Sequence, residues 1–148
     1  MPKQPPTDPK KRKGLIIVNT GDGKGKSTAS FGLALRAAGN KMNVFIMQFM
    51  KGPWKAGERK ALQELADYVE YEAMGDGFTW DTENTEQDKK TARAAFKIAK
   101  EKLMSGKYQM IILDEINYVL DYKFFPLDEF LETLRNKPKD IHVVCSGR

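Results

Sequence analysis

Two hydrophobic periods alternate along the chain. Short, nearly unbroken apolar runs occupy residues 15–18 (Leu15, Ile16, Ile17, Val18), 42–49 (centred on Val44, Phe45, Ile46 and Met47), 108–113 and 141–145. Such runs read as strands, and the one at 42–49 suits burial on both faces. Residues 68–72, Tyr68-Val69-Glu70-Tyr71-Glu72, alternate apolar and polar and read as a further strand. Stretches at helical spacing separate them. Residues 28–38 form the first, stopped by Gly39 and Asn40. Residues 57–66 put Leu62, Leu65 and Ala66 on one side, and residues 87–105 line up Ala92, Ala95, Phe96, Ala99 and Leu103 before Gly106. A brief helix at 116–122 and an amphipathic one carrying Leu127, Phe130, Leu131 and Leu134 are divided by Phe125-Pro126. Five strands alternating with helices predict an α/β domain: a mainly parallel sheet with right-handed crossovers and helices on both faces.

Length fits a single domain, and no internal repeat divides the 148 residues. Cys145 and His142 are the only residues of their kinds, so an internal disulfide and a cysteine-based zinc site are excluded. Chemistry must rest on carboxylates, lysines, hydroxyls, a bound metal or a cofactor. Cys145 reads as a small buried residue and His142 as an ordinary strand residue. No apolar run reaches the roughly 18 residues of a membrane span, and the expectation is a cytoplasmic protein.

The net charge of +5 would raise the question of nucleic acid were it spread over the body. Instead Lys3, Lys10, Lys11, Arg12 and Lys13 stand against Asp8, so most of the excess precedes Gly14. Residues 1–13 also carry Pro2, Pro5, Pro6 and Pro9, a composition that cannot pack a core. The expectation is a flexible basic segment ahead of a domain at 14–148. The segment can solubilise, reach for nucleic acid, or order over the active site when ligands bind. The near-neutral body argues against a nucleic-acid partner.

Three stretches carry chemistry. The first is Thr20-Gly21-Asp22-Gly23-Lys24-Gly25-Lys26-Ser27-Thr28, between the first strand and the first helix. Backbone N–H groups of such a turn, with the helix N-terminus, cradle polyphosphate; Lys26 would reach the phosphates and the Ser27 hydroxyl would sit on Mg²⁺. The usual form is G-x-x-x-x-G-K-[ST]. Here Thr20 stands where the first glycine belongs, and Gly21 follows one place later. The second is Met110-Ile111-Ile112-Leu113-Asp114-Glu115, an apolar strand ending in two acids that can complete a Mg²⁺ shell. Adjacent residues on an extended strand point to opposite faces, so one of the two is expected to be the direct ligand. The third is Gly77-Phe78-Thr79-Trp80, an aromatic pair that either folds onto the core or meets a flat, apolar second substrate. Arg36, on the helix leaving the loop, reads equally as a surface charge or a ligand contact. Without a second substrate, the same loop and acids would describe an ATPase or kinase acting at the γ-phosphate.

Together with Gln48-Phe49-Met50-Lys51-Gly52 and Gly57-Glu58-Arg59, these stretches resemble the ATP:corrinoid adenosyltransferases of the CobA/BtuR/CobO type, cob(I)yrinic acid a,c-diamide adenosyltransferases among them. The resemblance runs from about residue 14 to residue 148, and the off-pattern loop is similar to this family's own. It implies a P-loop, RecA-like fold and transfer of the 5′-deoxyadenosyl group of ATP to the Co(I) of a reduced corrinoid, with release of tripolyphosphate. It implies Mg²⁺ or Mn²⁺ as cofactor, a homodimer and a flavoprotein reductant. By motif, residues 21–28 would hold the triphosphate, Ser27 and Glu115 the metal with Asp114 in support, and Phe78 and Trp80 the lower face of the corrin. Arg36 and Arg148 resemble nucleotide contacts. Family members continue past the Ser146-Gly147-Arg148 end, which implies a chain shortened there.

Overall fold

The computed structural model describes residues 13–50, 57–74 and 85–148. Five strands, β1 (Ile16–Asn19), β2 (Val44–Gln48), β3 (Val69–Ala73), β4 (Met110–Asp114) and β5 (His142–Ser146), form one sheet in the order β1-β5-β4-β2-β3. Every pairing is parallel. The helices are α1 (Lys26–Gly39), α2 (Gly57–Gln63), α3 (Thr85–Met104), α4 (Ile116–Asp121) and α5 (Leu127–Arg135).

Strand alternation divides the core in two. Phe45, Met47, Ile111, Leu113, Val143 and Cys145 pack against α3, α4 and α5 on one face. Val44, Ile46, Met110, Ile112 and Val144 pack against Phe31, Ala34 and Ala37 of α1 and Leu62 of α2 on the other. Helices therefore cover both faces, as the apolar runs of β2 and β4 require. The same alternation continues to the carboxyl ends of the strands. Gln48, Asp114 and Ser146 fall on the α1 face, in step with Ile46, Ile112 and Val144.

One helix end differs from the sequence reading. Residues 64–68 are turns, so α2 ends at Gln63, just under one turn before the end that its apolar spacing implies. β1, an apolar run like the others, is an edge strand: Leu15, Ile16 and Val18 are about half exposed. Apolar content alone does not tell an edge strand from a central one. β5 lies between β1 and the acid-bearing β4, so the glycine loop and the acids leave strands two places apart.

Candidate active site

The loop between β1 and α1 is built on alternate glycines. Gly21, Gly23 and Gly25 have φ of 109°, 89° and 108°, while Asp22 and Lys24 between them do not enter the positive region. Only glycine adopts these values freely. The alternation turns successive N–H groups toward one side, the arrangement that binds anions. It also explains the misplaced glycine: the first left-handed position is Gly21, so Thr20 is free to be a larger residue. Gly25 caps α1 with no side-chain hydrogen bond, which leaves the first N–H groups of the helix facing the loop. Lys26 Nζ donates to the carbonyls of Gly21 at 2.7 Å and Gly23 at 2.6 Å, spanning the concavity that the loop encloses.

Ser27, in the first turn of α1, faces both acids. Its hydroxyl lies 2.9 Å from Asp114 Oδ1 and 3.3 Å from Glu115 Oε1. The two carboxylates have different surroundings. Asp114 is fully buried, and its oxygens are taken by three donors: Ser27, Ser146 Oγ at 2.6 Å on Oδ1, and Gln48 Nε2 at 3.2 Å on Oδ2. Glu115 is half-buried, and among the described residues its carboxylate accepts from Ser27. Burial raises its pKa above the ordinary glutamate value, Asp114 adds to this, and the Ser27 hydrogen bond and Lys26 oppose it.

Alternation along an extended strand would send Glu115 to the far face. It does not, because Glu115 leaves the strand at φ 63°, in the left-handed region. That conformation costs a non-glycine residue about 1–2 kcal/mol. It is held by Ser146, whose hydroxyl accepts the Glu115 N–H at 3.0 Å while donating to Asp114. Both acids thus reach Ser27.

The chain end comes back to the loop. Arg148 Nε lies 3.2 Å from Asp22 Oδ1, an exposed pair that contributes little to stability. Asn117 donates to the Gly147 carbonyl at 3.1 Å and fixes the backbone just before Arg148. Arg36 is not brought to the loop. It lies in the last turn of α1, ten residues after Lys26 and so about 15 Å along the axis. There it lines a groove with Leu15, Leu33, Met42 and His142 at the amino end of the sheet. Thr28 is exposed in the first helical turn. Phe78 and Trp80, and Lys51 and Gly52 of the resemblance, lie outside the described residues.

Ser146, Asn117 and Tyr71, whose hydroxyl bonds Gln48 Oε1, were not singled out by the sequence reading. Strand alternation could have placed Tyr71 and Ser146 on the α1 face; nothing in the sequence marks Asn117. Among the described residues no cluster of three His, Cys, Asp or Glu could hold a metal. The donors present are a hydroxyl and a carboxylate, all oxygen. That set suits Mg²⁺ shared with phosphate oxygens rather than a cage made by protein alone.

A family model described as ATP:corrinoid adenosyltransferase BtuR/CobO/CobP matches residues 12–148. A corrinoid adenosyltransferase of Escherichia coli is 43% identical over 136 residues, which are 92% of this chain and 68% of that protein. The corrinoid adenosyltransferase CobA of Salmonella typhimurium is 42% identical over the same shares. A Pseudomonas aeruginosa corrinoid adenosyltransferase is 38% identical over 92% of this chain and 67% of its own length.

Proposed function

The chain belongs to the ATP:corrinoid adenosyltransferase family, and from that premise we propose that residues 21–28 hold the triphosphate of ATP as a leaving group. The reaction is transfer of the 5′-deoxyadenosyl group to the Co(I) of a reduced corrinoid. The observation that carries the site assignment is the meeting of Ser27 with Asp114 and Glu115 beside a loop of three left-handed glycines.

Co(I) supplies an electron pair to C5′, the C5′–O bond breaks, and its pair leaves on the triphosphate as a cobalt–carbon bond forms. The protein therefore has no proton to remove. It must align the reacting atoms and stabilise charge on the departing group. Loop N–H groups and the α1 N-terminus would receive the phosphate oxygens, and Lys26 would exchange its two carbonyl bonds for them. Ser27 and Glu115 would hold Mg²⁺, with Asp114 behind Ser27. Magnesium, when bound, neutralises negative charge on the triphosphate. Asp114 suits the outer position because three donors already fill its oxygens, and Glu115 suits the direct one because it is the less engaged acid. Arg148 would leave Asp22 for the nucleotide.

Residues 14–148 form the nucleotide- and corrinoid-handling unit in this reading. Phe78 and Trp80 would press on the lower face of the corrin, displacing the axial ligand and excluding water. A four-coordinate Co(II) then accepts an electron more readily from a flavoprotein. The working form proposed is a homodimer. No helix among the described residues is long and apolar enough to cross a membrane.

Incubation with ATP, Mg²⁺ and chemically reduced cobalamin tests the assignment. Tripolyphosphate appearing together with a cobalt–carbon bond is the expected result. ADP and orthophosphate formed without corrinoid would instead identify an enzyme acting at the γ-phosphate.

A further inference from the structure

A row of polar side chains crosses the carboxyl edge of the sheet on its α1 face. Tyr71 on β3 donates its hydroxyl to Gln48 Oε1 on β2, and Gln48 Nε2 donates to Asp114 Oδ2 at 3.2 Å. Gln48 and Asp114 are register partners on neighbouring strands, so their meeting is fixed by the sheet itself. The far end is anchored by Arg59 of α2, whose guanidinium carbon lies 5.5 Å from the Tyr71 ring centre.

We propose that Tyr71 and Gln48 are positioning residues of the metal–triphosphate site, acting through Asp114 on Ser27. This rests on the assignment of that site above. A carboxamide can present either its oxygen or its NH₂ group to Asp114, and only the NH₂ group is tolerated there. The Tyr71 hydroxyl reinforces that orientation by donating to Gln48 Oε1, the oxygen that Asp114 leaves over. Burial raises the Tyr71 pKa above the ordinary tyrosine value, against the opposing effect of Arg59 and with a smaller contribution from Asp114. Tyr71 thus remains a hydroxyl donor. With Oδ2 engaged by Gln48, Oδ1 is left to receive the Ser27 and Ser146 hydroxyls. The Ser27 proton then points at Asp114, and its lone pairs turn toward the loop. Partners standing behind a metal ligand commonly change metal affinity by about 10–100-fold.

The test titrates Mn²⁺ into the full chain with ATP, following free Mn²⁺ by electron paramagnetic resonance, with thermal melts of each variant. Gln48→Leu should weaken Mn²⁺·ATP binding about tenfold. Tyr71→Phe should weaken it less, with its melting temperature nearly unchanged. The double variant should bind no worse than Gln48→Leu alone, because Tyr71 acts only through Gln48. Glu115→Gln is the control for the site. If it weakens binding while Tyr71→Phe and Gln48→Leu do not, or if the two effects add in full, the positioning role is overturned. If Glu115→Gln itself leaves Mn²⁺·ATP binding intact, the metal-site assignment is what fails.

Discussion

Ser27 and Asp114 are 87 residues apart in sequence and meet at 2.9 Å, hydroxyl to Oδ1. The contact joins the start of α1 to the end of β4, yet the two residues are expected to fail differently. Ser27→Ala leaves Asp114 with the Ser146 and Gln48 donors, so stability should fall by no more than about 1 kcal/mol while ATP use collapses. Asp114→Ala strands buried donors of Ser146 and Gln48 and should cost about 1–3 kcal/mol in addition to activity. Melting temperatures beside kcat/KM for ATP separate the two. Equal destabilisation would argue against Ser27 being the ligand and Asp114 its support.

Lys26→Ala removes a cation whose present partners are exposed loop carbonyls. Folding should be little affected. Turnover should fall about 100-fold or more, the scale of losing one charge-stabilising group at a leaving oxyanion. The loss should be the same whether Co(I) is made by a flavoprotein or by a chemical reductant. Unaltered ATP kinetics would remove Lys26 from the site.

Phe78→Ala and Trp80→Ala should behave in the opposite way. If these aromatics serve to displace the lower ligand of Co(II), adenosylation should fail when Co(II) must be reduced in place and largely recover when Co(I) is supplied. Equal losses in both assays would show that the pair serves corrinoid binding or folding instead.

How much of this was legible beforehand follows from what each feature depends on. β2 and β4 are unbroken apolar runs, and only burial on both faces accommodates them, so sheet and helices were readable. The loop was readable because a chain needing three left-handed residues must spend three glycines. The alternation rule separates Asp114 and Glu115 onto opposite faces, yet both reach Ser27. The left-handed turn of Glu115 is imposed by Ser146, which arrives from another strand. Gln48 was visible at a strand end, but its pairing with Asp114 depends on the β2–β4 register, which local sequence does not encode. Arg36 was left open between a surface charge and a ligand contact, and counting along α1 sets it well beyond the loop.

Gly147→Ala tests the segment that delivers Arg148. Gly147 has φ 135°, and an added Cβ would lie 2.7 Å from Asn117 Cβ, which sits on α4 with little freedom to retreat. The substitution should cost about 1–3 kcal/mol in backbone strain. It should also break the Asn117 bond to the Gly147 carbonyl and displace Arg148 from Asp22. A raised KM for ATP together with a lowered melting temperature is expected. A normal KM in a destabilised protein would show that Arg148 takes no part in nucleotide binding.

His142 gives the fold a pH dependence at the end of the sheet away from the glycine loop. Its Nδ1 accepts the Leu15 N–H at 3.1 Å, holding the chain just before the edge strand β1. Burial lowers its pKa below the ordinary value of about 6.5, and the Lys137 ammonium lowers it further. Arg36 lines the same groove and adds positive charge. Above the ordinary value neither folded nor unfolded chain binds this proton, so His142 contributes no pH slope there. As pH falls through about 6.5 the unfolded chain protonates first, and stability declines until the lower folded pKa is passed. Protonation at Nδ1 also abolishes the acceptor that Leu15 uses. Melting temperature should therefore drop on moving from neutral pH to about one unit below the ordinary histidine value, and His142→Gln should flatten that part of the curve. A variant that keeps the full slope would place its origin in other groups.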